Sequence, residues 1–97
     1  MLSQLLPPDQ WELSRWSWAQ LQSITEELLR KIDYHQERCL RYHYSSGRYI
    51  DSSVKLRCEL LPALDKIQHY VRTSVPAGLA ADMFPRLVAD PVIVNNC

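Results

Sequence analysis

Between residues 9 and 44 no glycine or proline interrupts the chain, and apolar positions recur with a helical period. At about 100° per residue, Leu13, Leu21, Ile24, Leu28, Ile32, His35, Cys39 and Tyr42 share one arc. Trp11, Trp18 and Leu29 flank it, and Glu26, Arg30, Glu37 and Arg41 lie opposite. The spacing along this arc averages about 3.5 residues, as in a coiled-coil seam. Pro7-Pro8 cannot be helix interior, and Asp9 followed by Glu12 has the form of a capping box. The pattern therefore predicts an extended lead over residues 1–8 and a first helix over 9–45. Asp33 with Gln36 is a second, weaker start signal, which marks residue 33 as a place where that helix could break.

Ser45-Ser46-Gly47 is the first stop signal, because glycine supplies the left-handed conformation that closes many helices. A second helix is expected over 48–73. Its apolar face would be Ile50, Val54, Cys58, Leu61, Leu64, Val71 and Val75, widened by Leu60 and Ile67. Pro62 falls inside it and predicts a kink there. A short third helix is expected over 76–89, followed by a tail at 90–97. The expected fold is all-α, one domain of 97 residues: an antiparallel hairpin of two long helices with a short third. Both apolar arcs are wider than a two-helix seam requires, which points to a closed bundle or to burial against a protein partner or a second copy.

Composition agrees with long helices, since two glycines leave little material for tight turns. The formal net charge is zero, which gives no global attraction for nucleic acid, but the charge is uneven. Residues 1–29 carry a net −3, residues 30–57 a net +4 and residues 58–97 a net −1, so the predicted turn is the positive end. No run approaches the about 20 apolar residues of a membrane span, and the first residues lack a basic leader. Three cysteines, an odd number without a leader, fit free thiols in a reducing, cytoplasmic setting.

The candidate chemistry is concentrated at residues 38–49. His35, Cys39 and His43 recur every four residues, but two helical turns separate the histidines by about 12 Å, too far for one ion. A metal site would need His35, Cys39 and Cys58 from the facing helix, with no fourth ligand in view, so no metal or other cofactor is expected. No nucleophile–base pair with an orienting third group occurs, which argues against an enzyme. Arg38 and His43 have an Arg-x4-His spacing, which resembles the signature of the HEPN family of helical, usually dimeric ribonucleases. The match covers these two residues, Cys39 stands where that family usually has a polar residue, and half the chain follows the motif. The resemblance implies RNA cleavage by Arg38 and His43 assembled across a dimer.

Arg38, Arg41, Tyr44, Arg48 and Tyr49 gather cations and ring faces at the turn, a mixture that protein interfaces favour and that can also stack bases and neutralise phosphates. Trp16 and Tyr34 project together about 140° from the seam and suggest a second, aromatic contact line. The reading is a non-catalytic protein-interaction module, such as an adaptor, small subunit or inhibitor-like protein. The alternative is an RNA- or DNA-binding protein using the same turn.

Overall fold

The computed structural model describes residues 8–89. The lead before Pro8 and the tail from residue 90, each given an expectation above, lie outside them. The described chain is built of helices joined by short turns, with no strand among the described residues, and measures 43 × 28 × 17 Å.

Two short 3₁₀ turns, Pro8–Gln10 and Leu13–Arg15, come first. Helix α1 is Trp18–Arg41, continuous past Asp33. Its start is Ser17, in extended backbone, whose Oγ accepts the Gln20 amide at 3.1 Å. This corrects the expected start at Asp9. The reason lies in Trp11 and Leu13, which are both buried. Two residues apart, they would point about 200° apart on one α-helix. Separate turns let both face the core, and Glu12 pairs with Arg15 at 3.1 Å.

α1 also ends earlier than residue 45. Tyr42 is extended, its amide closing on the Arg38 carbonyl. The chain reverses over residues 42–46 with a Ser46 amide to His43 carbonyl bond of 2.9 Å. Helix α2, Gly47–Lys55, begins where Ser46 Oγ accepts the Tyr49 amide at 3.1 Å. Gly47 is thus the first residue of α2 and not the left-handed stop of α1. Space for a side chain is open at this position.

α2 runs into a five-residue π segment, Leu56–Leu60, and then into α3, Leu61–Ser74. Here Pro62 acts, one turn ahead of where a kink was expected. A proline has no amide for the carbonyl four residues back, and its ring crowds that carbonyl. The chain widens just before it, and the Leu61 amide reaches the Leu56 carbonyl, five residues back.

The rod formed by α2, the π segment and α3 folds back along α1 and touches it in all three parts. Helices α4 (Ala77–Met83) and α5 (Pro85–Ala89) split the expected third helix at Phe84 and lie on α3. Gln68 Nε2 and Arg72 Nε both donate to the Leu87 carbonyl at 3.1 Å, and Arg86 forks onto Asp33 of α1 at 3.0 and 3.1 Å. Between the layers Leu21, Leu28, Ile32, Leu64, Ile67, Val71 and Leu87 are fully buried.

One predicted face is wrong. On α2 the buried residues are Ser52 and Ser53, while Ile50 and Val54 are about half exposed and Cys58 is exposed. The true inner face lies about 130° round the helix from the one that the large apolar residues suggested. Trp18, expected on the core flank, is also outward.

Candidate functional site

The site is built on the last turns of α1 and the first of α2. Tyr34, Arg38 and Tyr42 follow one another at four-residue spacing, so they stack along one line of α1. The Arg38 guanidinium lies 5.6 Å from the Tyr34 ring centre and 5.5 Å from that of Tyr42. Its Nη1 donates to the Tyr34 hydroxyl at 3.3 Å. Arg48 of α2 extends the column: its guanidinium lies 5.2 Å from the Tyr42 ring centre and its Nη1 donates to the Tyr42 hydroxyl at 3.2 Å. The order is therefore Tyr34, Arg38, Tyr42, Arg48, ring and cation alternating.

Ser52 anchors this column to the interior. Its side chain is completely buried, and its Oγ accepts from Arg38 Nε at 2.8 Å and lies 2.9 Å from His35 Nδ1. An arginine can only donate. The seryl oxygen has a second lone pair and one proton, so it can serve His35 Nδ1 as acceptor or as donor according to the imidazole tautomer. The His35 pKa is lowered from its ordinary 6.5, first by burial and then by the positive charges of Arg38, Lys55 and Lys31, with Glu59 opposing. Tyr34 meets the imidazole edge-on at 5.0 Å.

Several sequence expectations are corrected here. Arg38, expected on the contact surface, is half-buried and tied through Nε to Ser52, which leaves its Nη2 unused. Arg41 is exposed but paired with Glu37, and it also complements the negative end of α1. Tyr44 is well exposed, with its ring 4.3 Å from that of His43. Tyr49 is half-buried and packs on the core. Trp16 shares no line with Tyr34: it precedes α1, packs on the core and sits 5.0 Å from the Trp11 ring.

The metal set is not assembled. Cys39 is in the core, Cys58 faces outward and His35 is on Ser52. Among the described residues no three ligating side chains come together. Arg38 and His43, the pair with HEPN spacing, turn to different partners, Ser52 and Ser45, the latter with its Oγ 2.6 Å from His43 Nδ1.

Sequence reasoning missed Ser52 and Leu40. Ser52 gives no signal, since a serine in a helix is ordinarily a surface residue. Leu40 is 86% exposed beside the turn, and only its place off the apolar arc foretold that. Away from the turn, a shallow cleft of about 360 Å³ lies between residues 11–14 and α3, walled by Trp11, Tyr70 and His69. Its ammonium group, Lys66 Nζ, donates to the Pro8 carbonyl at 2.6 Å.

Among the described residues no helix is long and apolar enough to cross a membrane. No family model, curated protein or solved structure matches the chain.

Proposed function

We propose that this chain is a non-catalytic protein-interaction module, an adaptor or small subunit, whose working surface is the turn end. The observation that carries the reading is where the fold leaves its large apolar side chains exposed. Among the described residues these are Trp18, Tyr34, Leu40, Tyr44, Ile50 and Val54, and all but Trp18 lie on either side of the turn. Scattered exposed apolar residues need no explanation, whereas their concentration in the segments that meet at the turn supports a contact surface at that end. Tyrosine and arginine beside it are the residue types that interfaces concentrate. Nucleic acid is less well supported as the partner, because the net charge is zero and Arg41 is already paired with Glu37.

Site-specific photo-crosslinking in the native host tests this. A photoreactive residue at position 40 or 44 is expected to give a discrete protein adduct, either another protein or a second copy. The same residue at Asp65, exposed on α3 away from the turn, should give none. Adding Val54→Asp should abolish the adduct. Adducts with nucleic acid, or equal labelling from position 65, would refute the reading.

A further inference from the structure

The geometry points to an oxyanion receptor at the turn end, in which Arg38 and Arg48 grip a carboxylate or phosphate group on an acidic segment of a protein partner. The inference rests on the reading of this end as a protein-binding surface, and it names the chemistry of what binds there.

Charge pairing on this part of the molecule carries the argument. Lys31 has Glu27, Arg41 has Glu37 and Lys55 has Glu59. Arg38 and Arg48 have no carboxylate among the described residues. Their hydrogen bonds go to neutral hydroxyls, those of Ser52 and Tyr34 for Arg38 and that of Tyr42 for Arg48. Both guanidiniums sit within 5.5 Å of one ring centre, that of Tyr42. Two like charges this close lie roughly within one Debye length, about 10 Å at ordinary salt, and each raises the free energy of the other. An anion bound at the edge of the column, beside the Tyr42 ring that both guanidiniums cover, lowers that repulsion.

The receptor is also set in advance. Arg38 is held at Nε by a buried serine and between two tyrosine rings, and Arg48 is held on the ring and hydroxyl of Tyr42. Little side-chain freedom is left to lose on binding. Each guanidinium keeps free N–H donors, with the unused Nη2 of each available for the paired hydrogen bonds that carboxylate and phosphate accept.

A protein source fits better than a nucleic acid. A nucleic-acid groove neutralises a row of phosphates, whereas here the cations that share one ring are two, Arg38 and Arg48 on Tyr42, and the neighbouring Arg41 and Lys55 are already paired with Glu37 and Glu59. The exposed Tyr44 and Leu40 supply apolar contact for side chains flanking an acidic residue.

The test is a titration of the intact protein followed by the side-chain Nε–H signals of its arginines. The probes are inorganic phosphate, a short acidic peptide, its phosphoserine counterpart and a single-stranded oligonucleotide. Saturable shifts confined to Arg38 and Arg48 are expected with either peptide, and the stronger peptide identifies the preferred oxyanion. Arg48→Gln should weaken binding about tenfold, the equivalent of one charge-assisted hydrogen bond. Tyr42→Leu, at a half-buried position, should weaken it while the protein stays folded, and Arg57→Gln should leave it unchanged. Shifts spread equally over Arg30, Arg57 and Arg72, or no saturation, overturn the receptor. Tighter binding of the oligonucleotide than of either peptide overturns the protein source. Because this experiment needs no native partner, its failure leaves the crosslinking result standing, and the reverse also holds.

Discussion

The two ends of the molecule solve the burial problem in opposite ways. At the closed end, Trp11, Leu13, Ile67, Val71, Phe84 and Leu87 gather in an apolar core, with α4 and α5 laid on α3. At the turn end Ser52 and Ser53 are inside, and Leu40, Ile50 and Val54 are outside. Apolar area removed from water stabilises the first end by about 25 cal/mol per Å². The second end adds a buried polar network to the packing of Cys39, Tyr49 and Leu56, and leaves Leu40, Ile50 and Val54 exposed. A chain selected for stability alone would exchange these positions, and the inversion supports the proposal that the turn end serves contact.

The contrast makes a direct prediction with the largest effect. Ile67→Ala, at a fully buried position of the closed end, should lower unfolding free energy by about 2–5 kcal/mol. Val54→Ala removes a side chain of similar kind at the turn end and should change it by less than about 0.5 kcal/mol. Chemical denaturation of the two variants settles the matter. Comparable losses would mean that Val54 is part of the core and that the ends do not differ.

Next in size is the loss of the turn end's own support. Ser52→Ala leaves Arg38 Nε and His35 Nδ1 without their shared partner and should cost about 1–3 kcal/mol. The same network carries a pH dependence. Because the folded-state pKa of His35 is below its unfolded value of 6.5, the unfolded chain takes up the proton first. Stability is therefore complete above about pH 6.5 and declines as pH falls through that value toward the lower folded-state pKa. Melting temperature against pH should show this slope in the wild type and a flatter one in His35→Gln. An unchanged slope would remove His35 from the network.

The same division separates what could be read in the sequence from what could not. The all-α class, the long α1 and the reversal near residue 46 follow from the helical period and from the scarcity of glycine, signals that depend on local chemistry. The inner face of α1 was legible because its buried positions are mainly Leu, Ile and Cys. The inner face of α2 was not, because periodicity assumes that the buried side chains are the apolar ones. Ser52 is buried because Arg38 and His35, 14 and 17 residues away, need its hydroxyl. Such a partner cannot be seen from positions 47 to 55 alone. The ring–cation column was half legible: the spacing of Tyr34, Arg38 and Tyr42 lies in the sequence, whereas Arg48 joins them only through the fold. The false start at Asp9 has a similar origin, since local capping chemistry was outweighed by the burial of both Trp11 and Leu13.

The last prediction has the opposite sign. Thr25 lies on the inner face of α1 toward the closed end, 3% exposed, and its hydroxyl has no hydrogen-bond partner among the described residues. Ser52 is a buried hydroxyl too, but both neighbours use it. Replacing Thr25 by valine keeps the shape, removes a desolvated polar group and adds a methyl to an apolar environment. The β-branch is common to both residues, so helix propensity changes little. Stability should rise by about 1 kcal/mol, seen as a higher denaturation midpoint at an unchanged slope. The two substitutions, Thr25→Val and Ser52→Ala, each delete one buried hydroxyl from the same small domain. If both destabilise, the closed end also depends on polar contacts and the contrast between the ends fails. If Thr25→Val stabilises while Ser52→Ala destabilises, the polar interior belongs to the turn end alone.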